Sequence, residues 1–251
     1  MTGESDKIAK IAGEYREDIL AVIEGRSPWC VVTGDSTKLL AGISGVACVV
    51  CDPPYGISHR CNYAERGRGE LAPCNDYADV AGDDQPFDPS WLLSLDVPTV
   101  LWGANYFADK LPASGGWLIW DKERPDSLDQ ATCELAWTNC VKGVRRFRHL
   151  WNGMMRASEH GENYHPTQKP VALFDWVFSL PWMPKSGVVL DPYCGSGPVG
   201  VAAVRASLGY VGCDLAGAYV ETARRRIADA APLFVPPPPP APARLFAEGT
   251  S

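Results

Sequence analysis

Four consecutive residues, Asp52-Pro53-Pro54-Tyr55, set an acid, two rigid imides and an aromatic ring directly after the apolar run Val46-Ala47-Cys48-Val49-Val50-Cys51. The run reads as a short buried strand, halted by the carboxylate and the two prolines. A loop at the carboxyl end of a strand is where open α/β sheets bind their ligands. The chemistry suited to these groups is the holding of a planar, amino-bearing heterocycle: the ring offers a stacking face while the carboxylate accepts an N–H. A polar turn leaving a strand uses the same residue types, so the motif alone leaves both readings open.

A second group lies far along the chain. Gly195-Ser196-Gly197-Pro198-Val199-Gly200 fits G-x-G-x-x-G between the strand Val188-Val189-Leu190, which ends at Asp191, and a helix through Ala206; Asp214 closes the next strand. Glycines let a ligand approach the backbone, a helix N-terminus offers N–H groups, and the second acid suits a ribose diol. Taken literally this is a dinucleotide fingerprint, and an NAD(P)-dependent oxidoreductase is the reading it supports by itself. Against that, Asp191 would crowd a pyrophosphate but favour a cationic group. Only residues 201–251 follow, the last of them rich in proline, which is too little for a dinucleotide-binding sheet in its usual order.

Between the two lies His165-Pro166-Thr167-Gln168-Lys169-Pro170, opening a helix whose apolar face is Val171, Phe174, Val177 and Phe178. The one strongly basic segment carries Lys142, Arg145, Arg146, Arg148 and Arg156 with no acid among them, and Phe147 and Trp151 interleave it. Such a surface suits a phosphate backbone and bases. Arg60, Arg66 and Arg68 form a smaller basic group.

The elements that must position these residues alternate. A helix is expected from about Glu4 to Glu24, then a strand Trp29–Thr33 leading to Asp35, a short helix, and the strand into Asp52. Residues 56–89 are rich in Gly, Asp, Asn and Pro and read as a loop that closes on a substrate. Next come a short helix at Ser90–Leu95, a strand Pro98–Trp102, a helix Asn105–Lys110 and a strand Gly116–Asp121. Residues Asp129–Trp151 read as a short helix and one or two strands at a sheet edge, and a helix Ala218–Ala230 ends the ordered part before Pro236–Pro240. This alternation predicts an α/β layered fold with a largely parallel sheet.

Composition agrees with a globular protein: of 251 residues 46% are apolar and 21% charged. No leader-like start and no run of about eighteen apolar residues is visible, so a soluble, cytoplasmic protein without membrane contact is expected. Nine cysteines, an odd count, read as free thiols. Cys48 and Cys51 form a lone C-x-x-C whose side chains would point to opposite faces of a strand, so no metal site is expected. A net charge of −7 does not advertise a nucleic-acid partner; the clustering of the cations does.

Together the three motifs resemble the amino-group DNA methyltransferases that use S-adenosylmethionine. Asp52-Pro53-Pro54-Tyr55 matches the family's catalytic D/N/S-P-P-Y/F/W, Asp191-Pro192-Tyr193-Cys194-Gly195-Ser196-Gly197 its D-P-F-x-G-S-G cofactor loop, and the His165–Pro170 stretch leads into that loop. The catalytic motif precedes the cofactor motif, as in the permuted β arrangement; small-molecule and protein-glutamine methyltransferases with a similar motif usually run the other way.

The resemblance implies a Rossmann-like methyltransferase fold: α/β, a mostly parallel central sheet with helices on both faces and an antiparallel edge. It implies that Asp191, Pro192, Tyr193, Cys194, Gly195 and Gly197 line the methionine part of S-adenosylmethionine, that Asp214 binds the ribose, that Asp35 sits near the adenine, and that Thr167 and Lys169 lie close to the carboxylate. Tyr193 stands where Phe is usual and Pro198 where Thr is usual. The substrate implied is double-stranded DNA with its target base flipped out. Tyr55 would stack on that base, and Asp52 and the Pro53 carbonyl would accept its amino N–H groups, Pro54 completing the catalytic motif. An aspartate in first position associates with adenine N6 more than with cytosine N4, which remains the alternative.

The expected organisation is a packing helix in residues 1–28, a methyltransferase domain in 29–230 with a short target-recognition region at 121–164, and a flexible tail in 231–251. Lys142, Arg145, Arg146, Arg148 and Arg156, with Arg60 on the 56–89 loop, are the expected DNA contacts. So short a recognition region suits a short site or the help of a second subunit as a homodimer. A bacterial cytoplasm, or a phage protein in a bacterial host, is the setting implied.

Overall fold

The structure is a computed structural model that describes residues 13, 15–57, 82–125, 131–152, 155–159 and 168–231. Arg60, Thr167, most of the 56–89 loop and the proline-rich tail lie outside the described residues.

Residues 15–23 form helix α1, with Ile19 and Val22 buried. Strand β1 (Trp29–Thr33) leads to α2 (Ser36–Leu39), which Asp35 caps by accepting the Thr37 N–H. Strand β2 (Cys48–Cys51) enters the catalytic-type motif. After α3 (Ser90–Leu93) and β3 (Thr99–Trp102), the expected helix at 105–110 is instead two 3-10 turns, Ala104–Tyr106 and Ala108–Lys110. The left-handed Gly103 before the first and the non-helical Phe107 between them break the ladder. Then follow β4 (Gly116–Asp121), β5 (Cys133–Thr138), β6 (Val144–Arg148) and the two-residue strands β7 (Trp151–Asn152) and β8 (Met155–Arg156). The final units are α4 (Val171–Ser179), β9 (Val188–Asp191), α5 (Pro198–Arg205), β10 (Gly209–Asp214) and α6 (Gly217–Ala230).

Eight strands form one sheet in the order β1-β10-β9-β2-β3-β5-β4-β6, while β7 and β8 pair separately. Within the eight-stranded sheet every pairing is parallel except those of β5 with β3 and with β4. The antiparallel part therefore lies towards the β6 side. Strands β2, β3 and β9 are buried at every residue, as unbroken apolar runs must be when helices cover both sheet faces. One core packs α4, α5 and α6 against the sheet through Phe174, Val201 and Ile227; the other packs α1 and α3 through Ile19, Val22 and Leu92. Alternation along β2 sends Cys48 to the first core and Cys51 to the second, so these two thiols face apart.

Because β1, β10, β9 and β2 are adjacent and parallel, their carboxyl ends form one rim. Asp214 is in register with Thr33, and Gly212 with Asp191. Asp35, Asp214, Asp191 and Asp52 thus follow strand ends along the same side of the sheet, where the change of strand order opens a crevice. No helix among the described residues is long and apolar enough to cross a membrane.

Candidate active site

At the end of β2 the Asp52 carboxylate is held from two sides. The Tyr55 hydroxyl donates to Oδ1 at 2.6 Å, and Lys169 Nζ donates to Oδ2 at 2.5 Å and to the Tyr55 hydroxyl oxygen at 2.9 Å. Lys169 is only 4% exposed, and a cation so buried needs carboxylate partners. It has a second one in Glu134, whose Oε2 lies 2.9 Å away, while Lys122 pairs with the other Glu134 oxygen. Asp52 keeps 24% of its side chain exposed and so remains within reach of a ligand.

Electrostatics follow from this packing. Burial pushes the Asp52 carboxyl above its usual range, against the pull of Lys169. Burial works against the Glu134 carboxylate too, but Lys169 and Lys122 outweigh it and hold that group at about 2. Lys169 is raised, because its two carboxylates overcome the cost of desolvation. Two lysines and two carboxyl groups thus share one cluster.

The backbone around the motif is anchored by Asp83, whose Oδ1 accepts the N–H groups of Tyr55, Gly56 and Ile57 at 2.9, 2.8 and 3.3 Å. The Tyr55 ring lies on Gly103, where a Cβ would stand 1.8 Å from ring atom Cε1. Its other neighbour is Tyr106, stacked at 4.8 Å and 14° and half exposed. Sequence reasoning did not single out Asp83, Gly103, Tyr106, Lys122 or Glu134. None belongs to a motif, and only strand order brings them to Asp52.

Along the rim, Asp191 is 1% exposed. The Tyr210 hydroxyl donates to its Oδ2 at 3.0 Å. Burial, with smaller contributions from Asp214 and Asp52, raises its carboxyl to about 8. Pro192 and Cys194 are buried and Tyr193 half-buried, its ring edge-on to Phe87 at 5.6 Å. Gly195 and Gly197 both adopt positive φ, 50° and 80°, which curls the loop into the start of α5. Pro198 takes the first helical position, where a missing N–H costs nothing. Asp214 braces the loop by accepting the Gly195 N–H at 2.8 Å and the Ala216 N–H at 2.9 Å. Asp35 is engaged with Thr37 and, at 3.2 Å, with Lys38.

Of the sequence-predicted residues, the structure gathers Asp52, Tyr55 and Lys169 in one cluster and Asp35, Asp191, Cys194, Gly195, Gly197 and Asp214 along the same rim. Lys169, which the resemblance associates with the cofactor's carboxylate, reaches Asp52 in this structure. The basic segment does not form one surface. Arg146 and Arg148 approach Asp121 at 4.0 and 3.3 Å, and Arg148 also reaches Glu123, whereas Arg145 packs over Trp182 on the α4 side. Lys142 is exposed in the turn before β6, and Arg156 on β8 packs over Trp151. Acids distant in sequence thus accompany a stretch that contains none.

Residues 119–225 match the sequence model of a family described as DNA methylase, with N6 and N4 members. The chain resembles the amino-group DNA methylases. It is 27% identical over 131 residues to the type II methyltransferase M2.MboI of Moraxella bovis, covering 52% of this chain and 47% of that one. It is 31% identical over 84 residues to the type II methyltransferase M2.LlaDCHI of Lactococcus lactis subsp. cremoris, covering 33% and 31%. The chain thus spans less than half the length of these curated relatives. The solved PvuII DNA methyltransferase, described as cytosine-N4-specific, superposes with a TM-score of 0.53 at 16% identity over 80% of this chain and 86% of that one. The fold is accordingly the Rossmann-like methyltransferase fold, and the glycine-rich rim falls within the residues matched to the methylase family.

Proposed function

We propose that the chain transfers a methyl group from S-adenosylmethionine to the exocyclic amino group of a DNA base flipped out of its duplex, adenine N6 being the acceptor. The observation that carries this reading is the adjacency of two acids: Asp52 directly follows β2 and Asp191 ends β9, neighbouring parallel strands spaced about 4.8 Å apart. The residues present fit the cofactor. Asp191 is a buried carboxylate suited to a cationic group, the positive-φ glycines curl the loop around it, and Asp214 follows the next strand to meet hydroxyls.

When bound, S-adenosylmethionine would supply a methyl group on a sulfonium, the S–C bond breaking to leave S-adenosylhomocysteine as the N–C bond forms and the amino nitrogen then losing one proton. The chain's own residues would do the positioning: Asp52 and the Pro53 carbonyl accept the two amino N–H groups, which turns the nitrogen lone pair towards the methyl, and Tyr106, half exposed and stacked on Tyr55, offers the open aromatic face. Alignment rather than acid–base strength drives such a transfer. Arg146, Arg148 and the other cations around β6 would meet the DNA backbone, with the 121–164 region reading sequence. The bacterial relatives suit a bacterial cytoplasmic setting.

The test is incubation with labelled S-adenosylmethionine and mixed-sequence DNA, followed by digestion to nucleosides. Label in N6-methyladenine is expected. Label in N4-methylcytosine would change the base, and binding of NADH without any transfer would overturn the reading. Asp52→Ala is expected to abolish transfer while leaving cofactor affinity within about threefold, since Asp52 approaches the acceptor rather than the donor.

A further inference from the structure

Glu134 takes no part in the function proposed above, yet it is bound into the site. Its two oxygens are divided between Lys122 and Lys169, and Lys169 in turn lies between Glu134 and Asp52. Each oxygen of Asp52 accepts a hydrogen bond, one from the Tyr55 hydroxyl and one from the Lys169 ammonium. An incoming amino group must compete with them for the carboxylate's lone pairs. The Lys169 ammonium is the donor that can yield, because it already has a second carboxylate in Glu134 at 2.9 Å. A buried ammonium that loses its carboxylate is strongly destabilised unless another takes over.

Glu134 is already in place to do so. It stands at the start of β5, opposite Trp120 of β4. Since β5 alone runs against the sheet, its beginning lies beside the carboxyl ends of its neighbours and hence on the Asp52 side. Lys122, nearly buried over the Trp120 ring, fixes the carboxylate from behind. We propose that Glu134 is a positioning residue that receives the Lys169 ammonium when Asp52 turns to the amino group of the base. Lys169 keeps a carboxylate partner before and after the exchange, and Lys122 keeps Glu134 throughout. The cluster therefore admits a neutral hydrogen-bond donor without leaving a buried ion unpaired, which suits an uncharged exocyclic amine. The inference rests on the methyl-transfer reading.

Glu134→Gln preserves volume and an oxygen acceptor but removes the charge. Single-turnover transfer by this variant is expected to slow at least about tenfold, with affinities for S-adenosylmethionine and for DNA within about twofold of the parent. The acid limb of its pH–rate profile should also move to lower pH, because the Glu134 charge no longer opposes ionisation of Asp52, a change that a purely structural role would not produce. Glu134→Asp, which keeps the charge, should recover part of the rate and serves if the first variant folds poorly. Parental rates and an unmoved acid limb in Glu134→Gln, or equal losses in both variants, would overturn the inference alone. Absence of transfer by the parent protein on any DNA would overturn the methyl-transfer reading and this inference with it.

Discussion

Among single residues, Asp191 makes the sharpest statement about ligand charge. Its carboxyl lies near 8 because it is buried, so at pH 7 the ligand-free protein carries it mostly protonated. A cationic group arriving at Asp191 would favour the ionised form and expel that proton. Cofactor uptake at pH 7 should therefore release a fraction of a proton that Asp191→Asn does not release, measured by titration calorimetry in two buffers of different ionisation enthalpy. The sign for stability is the reverse of a salt-bridged acid. The folded value lies above the unfolded value of about 3.9, so the contribution is fully present below that pH and lost as pH rises through about 8. Glu134, held at about 2, behaves oppositely: its contribution is present above its ordinary range and lost as pH falls towards 2.

At the scale of elements, the turn that leaves β2 depends on a segment some thirty residues further on. Asp83 accepts three successive backbone N–H groups of the turn, the arrangement of a nest around an anion. Asp83→Ala would leave those donors without their acceptor, at about 1–3 kcal/mol for each one that stays buried and unsatisfied. Faster amide exchange at Tyr55–Ile57 and a fall in the transfer rate are expected, with cofactor affinity unchanged. An equally slow exchange in the variant would show that the turn holds itself. A second tie joins the rim to the helices behind it: Glu159 accepts the Val171 N–H at the start of α4 and the Arg226 guanidinium, which itself donates to Ser196 of the glycine-rich loop.

For the whole molecule, a net charge of −7 means that any DNA contact relies on local cations against an unfavourable mean field. Those cations are divided: Arg146 and Arg148 share one side of β6 with Asp121, and Arg145 lies on the other. Exposed ion pairs of this kind are weak and readily exchanged for phosphate. Arg146→Ala with Arg148→Ala should weaken DNA binding and reduce the slope of log affinity against log salt by about one per lost phosphate contact, whereas Arg145→Ala should change the slope less. Equal effects from the two faces, read by fluorescence anisotropy at several salt concentrations, would count against this division.

How much was legible beforehand follows from the range of each interaction. Apolar runs closed by Asp-Pro, and glycines between a strand and a helix, are local signals, so β2, β9, β10 and α5 and the acids that follow the strands could be read from the chain. Helices on both sheet faces came with the family resemblance, and the unbroken burial of β2, β3 and β9 agrees with it. What the sequence could not disclose is which charges meet. Lys169 and Asp52 are 117 residues apart, and Glu134 joins them only because β5 inserts in reverse between β3 and β4. The acids beside the basic segment likewise come from another strand. Motifs name the groups that can do chemistry through local constraints on the backbone; the partner of each buried charge is set by strand order, and strand order is decided by the packing of the whole sheet.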